Sequence, residues 1–273
     1  MTVTLRSVER KGWVPDQPDH RDFLLHERIP ILAPEALPAK LDPSPLIPLR
    51  YDQLRLGSCV GNGTARVVEY TLNKQGTPKG TPSRLFIYGG ARRIEGTYNS
   101  DSGAQIRDGI KAVAEWGAPS ETLWPYSDAN PGPFNEPIPN NVYAAGAKEL
   151  AVTYSRVVVG TPGAPMRTAL FNGMIIVFGF PVPSYFEDGT WNPATQYLPI
   201  PGAQARYIGG HCCVVTGYDW TCTKWPVPVF IIDNSWNMSW GMQGRFAMDS
   251  RWFCRPNAPT QLASDLWVIE KMA

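Results

Sequence analysis

SCVGNGTARVVEYTLNKQG (residues 58–76) decides how the rest of the chain is read. Val60, Thr64, Val67, Val68 and Leu72 recur at the spacing of one helix face, so a helix is expected from about Ser58 to a stop at Gly76. Gly61 and Gly63 weaken helix propensity near its start. The residue at the head of the stretch gives it weight. Cys59 follows Gly57-Ser58, where a helix has unpaired backbone N–H groups and the positive end of its dipole. Both favour the thiolate, the nucleophilic form of cysteine. Free cysteines are more often small buried hydrophobes, so Cys59 needs partners to count as a nucleophile.

Working outward, Gln53 lies six residues before Cys59. Its side-chain NH2 and the Cys59 backbone N–H can converge on one developing oxyanion. The chain has three histidines. His20 and His26 fall in a proline-rich N-terminal stretch and read as solvated surface residues. His211 follows Gly209-Gly210 and opens an apolar strand. From there its ring can reach a helix N-terminus across a cleft and form a thiolate–imidazolium pair. Asn234 ends the run VFIIDNSW and can accept the ring Nδ1–H without adding negative charge, with Trp236 placed to shield that bond. Each residue also has a plainer role: a loop glutamine, a hydrogen-bonded core histidine, a strand-end turn. The chemistry rests on their conjunction.

Further helices are expected in PSRLFIYGGARRI, capped by Ser83, and in IRDGIKAVAEWG, where Ile106, Ile110, Val113 and Ala114 form a stripe ended by Gly117. Residues 174–180, 212–219, 229–236 and 244–249 are short, β-branched or aromatic, and bounded by turn residues, as strands are. A helical first half followed by a strand-rich second half implies an α+β fold of two lobes with a cleft between them. The expected division is an extended arm over 1–38, a mainly helical lobe over 39–150 carrying the nucleophile, and a strand-rich lobe over 151–273 carrying His211 and Asn234. Trp13, Phe23, Leu24, Leu25, Ile29 and Ile31 give the arm apolar anchors. It is expected to run behind the lobes as a strap rather than across the cleft.

Composition limits the partners. The chain has 273 residues with a net charge of +1, so no broad field points to nucleic acid or an anionic membrane. No apolar run approaches a membrane span, and the first residues lack a secretory h-region. The location is therefore expected to be cytoplasmic, or outside the cell by a non-Sec route. Five cysteines, Cys59, Cys212, Cys213, Cys222 and Cys254, cannot all pair within one chain, and free thiols are expected. A zinc site built from His211 and the cysteines is disfavoured, because adjacent His-Cys-Cys is not ligand spacing.

Together these residues resemble the papain family of cysteine peptidases. Tyr51 to Cys59 is similar to that family's Gln…Gly-Ser-Cys segment, with the same Gln-to-Cys spacing. Gly210-His211 followed by Val214, Val215, Gly217 and Tyr218 resembles its histidine strand. Asn234-Ser235-Trp236 with Trp240, Gly241 and Gly244 resembles its asparagine segment. Leu56 stands where the family signature has a cysteine, Val60 where it has an aromatic, and Gly210 where Asp or Asn is frequent.

The resemblance implies a two-lobed fold whose second lobe is antiparallel and barrel-like. It implies an endopeptidase working through a thioester, with catalytic Cys59, His211, Asn234 and Gln53, and with no cofactor or metal. The substrate would be an extended peptide paired to a wall at Asp101-Ser102-Gly103-Ala104, with Phe180, Gly209 and Gly210 lining the pocket for the residue two before the cut; the protein would be a monomer. The same site could instead pass the acyl group to an amine, as in a ligase, and a binding protein with a decayed site would lack one of the four residues.

Overall fold

The computed structural model describes residues 12–43, 46–47, 50–160, 163–186, 196–254 and 262–273. Five α-helices and eight strands are present among them: β1 (Lys40–Leu41), α1 (Cys59–Lys74), α2 (Arg84–Ile94), α3 (Ile106–Trp116), α4 (Asn140–Gly146), β2 (Ala151–Arg156), α5 (Ala164–Phe171), β3 (Ile176–Pro183), β4 (Tyr197–Leu198), β5 (Tyr207–Asp219), β6 (Val229–Asp233), β7 (Arg245–Asp249) and β8 (Ser264–Met272).

The stretch that opened the sequence reading is the central helix. Residues Cys59 to Leu72 of α1 are all buried, because α1 packs against α2 and α3 on one side and against β3, β5 and β8 on the other. The two glycines that weaken its propensity serve that packing. A Cβ on Gly61 would fall 2.6 Å from the Arg84 carbonyl oxygen, and one on Gly63 would fall 3.0 Å from the Cys212 sulfur. Close tertiary approach thus outweighs the local cost of glycine in a helix. Helix α2 starts where Ser83 accepts the Phe86 N–H at 3.2 Å, and α3 ends at Gly117, whose φ is +78°.

The sheet order is β2-β8-β3-β5-β6-β7-β4, with β1 paired to β5 off this path. Its pairs are antiparallel except β4 with β7, which run parallel. β2 and β4 stand at opposite ends, so the sheet is open where a barrel-like second lobe was expected. The α+β class is otherwise as expected. The long β5 holds the site: it pairs with β3 through His211–Phe180 and with β6 through Val214–Asp233.

Candidate active site

Helix α1 begins at Cys59 itself, so the thiol stands at the first turn. The backbone N–H groups of Cys212, Gly12 and Val60 point at its sulfur. The start of β5, where His211 precedes Cys212, therefore abuts the helix N-terminus. Asn234 follows the last residue of β6 and lies 2.8 Å from His211, Oδ1 to Nε2. The same oxygen accepts the Ser235 backbone N–H at 2.8 Å and the Cys213 thiol at 3.5 Å. A backbone N–H can only donate, so that Asn234 atom is an acceptor and the His211 Nε2 must carry its proton. The ring nitrogen facing Asn234 is thus Nε2, not the Nδ1 expected from the sequence. Trp236 stacks on the imidazole, ring centroids 5.0 Å apart and planes 26° apart, and Phe180 meets it edge-on at 5.9 Å.

Gln53 is buried beside them. Its Nε2 donates to the Leu56 carbonyl at 2.9 Å, its Oε1 accepts from the Ser235 hydroxyl at 2.7 Å, and its backbone N–H donates to the Ser235 carbonyl at 2.8 Å. Ser235 therefore joins the amide that holds the imidazole to the amide beside the nucleophile. Sequence reasoning passed over this link, although Asn234-Ser235-Trp236 carried it.

The N-terminal arm meets the site in a way the sequence reading did not expect. Gly12-Trp13-Val14 runs along the face that Cys59 presents. Ala104 N–H donates to Gly12 O at 2.8 Å, Val14 N–H to Ala104 O at 3.0 Å, and Trp13 N–H to Gly210 O at 3.2 Å. Trp13 thereby forms a parallel bridge with Ala104. A Cβ on Gly103, whose φ is +75°, would lie 2.5 Å from Gly12 O. Of the expected substrate-side residues, Gly103 and Gly210 flank this segment. The Ser102 hydroxyl instead donates to Thr97 at 2.8 Å. Ala104, the last residue of the expected wall, makes the backbone pairing.

Beyond Val14 the arm does behave as a strap. Asp16 accepts the Arg107 N–H at 3.1 Å, in the first turn of α3, and the Trp267 indole N–H at 2.8 Å. Asp22 takes Arg107 at 2.6 Å and Arg156 at 3.0 Å. Leu25 is buried, and Phe23 O accepts from Arg156 N at 2.7 Å. The expectation of a strap behind the lobes holds for this part and fails for Gly12–Val14.

Cys59, His211 and Gln53 are fully buried with the arm in place. Burial pushes the Cys59 thiol up to about 11, outweighing the N–H groups around it. Desolvation thus overrides the helix terminus, from which a thiolate was expected. All five cysteines are free, and only Cys222 is exposed. Among the described residues no three His, Cys, Asp or Glu side chains are grouped to hold a metal ion, and no helix is long and apolar enough to cross a membrane.

No family profile matches the chain. An uncharacterised peptidase C1-like protein of Acanthamoeba polyphaga mimivirus is 30% identical over 96% of this chain and 86% of its own length. The crystal structure of xylellain, a cysteine protease from Xylella fastidiosa, superposes with a TM-score of 0.82 at 32% identity, covering 99% of each chain. Procathepsin B of Trypanosoma congolense shares the fold at 15% identity, with a TM-score of 0.70 over 95% of this chain and 85% of its own.

Proposed function

The chain belongs to the papain-like (C1) cysteine peptidases, and we propose that Cys59 is its nucleophile, His211 its acid–base and Asn234 the group that orients the imidazole. The observation that carries this assignment is the meeting, at the first turn of α1, of a thiol with the strand that bears an Asn-held histidine. Asn234 engages Nε2, which assigns Nδ1 to the thiol. The thiolate attacks the peptide carbonyl while His211 holds the proton taken from sulfur. The oxyanion is met by the Cys59 backbone N–H and the second amide proton of Gln53, whose plane is fixed by Leu56 and Ser235. The carbon–nitrogen bond then breaks, His211 protonates the leaving amine, and a thioester to Cys59 remains. Water, deprotonated by His211, hydrolyses it.

A peptide substrate would lie extended between Ala104 and Gly210, on the backbone groups the arm now occupies. Gly12–Val14 and substrate therefore exclude each other, and the arm holds the enzyme latent. Its displacement returns water to the sulfur and lets the imidazole share its proton. Neither the site nor its relatives favour an amine acceptor over water. The assignment is tested by incubating full-length Trp13→Ala protein, whose arm has lost its ring anchor, with a quenched peptide and mapping the acyl thioester trapped at acid pH. Trapping on Cys59 is expected, and trapping on another residue overturns it.

A further inference from the structure

The segment before the nucleophile is gripped at a single peptide unit. The Leu56 carbonyl accepts Gln53 Nε2 at 2.9 Å, and the Gly57 N–H donates to Asp101, 3.0 Å from Oδ1 and 3.1 Å from Oδ2. Both groups belong to one amide plane, and a planar trans peptide points them in opposite directions. Gln53 holds the plane on one side and the Asp101 carboxyl holds it on the other. A turn of the plane that frees either partner misdirects the other.

Asp101 is in turn fixed to the first lobe. The Tyr88 hydroxyl donates to its Oδ1 at 2.6 Å and accepts the Gly103 N–H at 3.0 Å. A hydroxyl that accepts one bond while donating the next strengthens both. Burial, followed by Asp101, raises the Tyr88 phenol well above its ordinary range, so it keeps the proton it donates. One turn along α2, Arg92 donates to the carbonyls of Tyr98 and Ser100 at 2.6 and 2.7 Å. At the end of the helix Glu95 accepts the Gln105 N–H at 2.7 Å. Positions 88, 92 and 95 share one helix face, so α2 holds the loop that carries Asp101 on both sides of it.

We propose that Asp101 is a positioning residue for catalysis. Through the Leu56–Gly57 peptide it sets the angle at which Gln53 presents its amide to the oxyanion, and through Tyr88 it keeps that donor in step with the wall on which substrate pairs. This rests on the oxyanion role assigned to Gln53 above. The other contact of the Gln53 side chain leaves that angle open: its Oε1 accepts from the Ser235 hydroxyl, a donor free to rotate. The direction of the second amide proton therefore follows the Leu56 carbonyl, and that carbonyl follows Asp101. Oxyanion donors act only where the charge develops, so their aim decides what they contribute.

The test is a double-mutant cycle in full-length Trp13→Ala protein, with kcat taken per Cys59 titrated by an epoxysuccinyl peptide inhibitor, so that unfolded chains do not count. Asp101→Ala should lower kcat by roughly 10- to 100-fold, the scale of a misplaced group, and raise KM less. In a Gln53→Ala background the same change should cost under about threefold, because the donor it aims is gone. Asp101→Asn, whose amide oxygen can accept from both Gly57 and Tyr88, should recover most of kcat. If Asp101→Ala does not fold, Tyr88→Phe, which takes the phenol from Asp101, replaces it in the cycle with the same expected coupling. A kcat loss as large without Gln53 as with it overturns the proposal, as does a loss confined to KM or to Tm. Gln53→Ala with kcat unchanged would instead overturn the oxyanion assignment, and this inference with it.

Discussion

Asn234 shows how far single residues could be read in advance. Its pairing with His211 was legible because the residue types and their order along the chain already implied it. The ring nitrogen was not, because that depends on how β5 and β6 register, Val214 against Asp233. The protonation of Cys59 was not legible either, since the helix-terminus effect is local while the burial that reverses it comes from a segment far away in sequence. Gln53→Ala should lower kcat by roughly 10²–10³ if its amide is an oxyanion donor. A change confined to KM would remove it from that role. Cys59→Ala and His211→Ala should each cost on the order of 10⁶ in kcat, as members of one unit. Asn234→Ala should cost much less, because the residue orients and does not react. Steady-state kinetics on the three variants checks the ranking.

At the scale of elements, α1, α2 and α3 were readable because their apolar spacing and stops are local. β2 and β8 were not. β2 pairs with β8 and bridges the arm at Leu24, and β8 also pairs with β3, all from distant parts of the chain, and their strand character comes from that pairing. The arm's anchors were visible as apolar residues, but where Trp13 docks depends on glycines at 179 and 210 and a carboxylate at 265.

Burying a tryptophan is worth about 3–5 kcal/mol by truncation, so Trp13→Ala should favour the open form by roughly 10²-fold or more. Alkylation of Cys59 by an uncharged reagent should speed up accordingly. An unchanged rate would mean that the arm does not gate the thiol.

Closure also carries a pH dependence. Burial first, then Asp16, pushes Asp265 up to about 6, while the Asp16 N–H, Arg156 and Trp13 pull it down. Burial also raises Asp16, against Trp267, Arg107 and Arg156. Asp16 stays on the strap, whereas Asp265 regains water when Gly12–Val14 leave and take the Trp13 ring with them. A group raised in the closed form supports closure fully below its ordinary value of 3.8 and loses that support as pH rises through about 6. The Cys59 alkylation rate of wild type relative to Trp13→Ala should therefore rise between about pH 4 and 6. A ratio that falls over that range would reverse the sign.

At the scale of the molecule, a buried ion network joins the three segments that carry the site. Arg66 of α1 pairs with Glu69 and, at 3.1 Å, with Asp233 at the end of β6. Arg50 reaches Asp233 at 2.6 Å, and the Tyr51 hydroxyl donates to Glu69 at 2.8 Å. The nucleophile helix, the Gln53 segment and the Asn234 turn are thus tied beneath the cleft. Nothing local in the sequence marks the charges at 66, 69 and 233 as buried. Asp233→Ala should destabilise the fold by about 3–5 kcal/mol, since it leaves guanidinium groups buried without their partner. Urea denaturation measures it, and a loss under about 1 kcal/mol would place the pair among surface bridges in effect.

The central claim, a peptidase nucleophile at Cys59 held latent by Trp13, meets its most direct test in covalent labelling. Wild-type and Trp13→Ala full-length proteins are treated with an epoxysuccinyl peptide inhibitor, and the modified residue is mapped by mass spectrometry. Ordinary alkylation would also mark the exposed Cys222, whereas this reagent needs a thiol activated by a neighbouring imidazole. The account predicts one adduct, on Cys59, formed markedly faster in Trp13→Ala and abolishing peptide hydrolysis in step with its formation. An adduct elsewhere, or hydrolysis that survives full modification of Cys59, would contradict it.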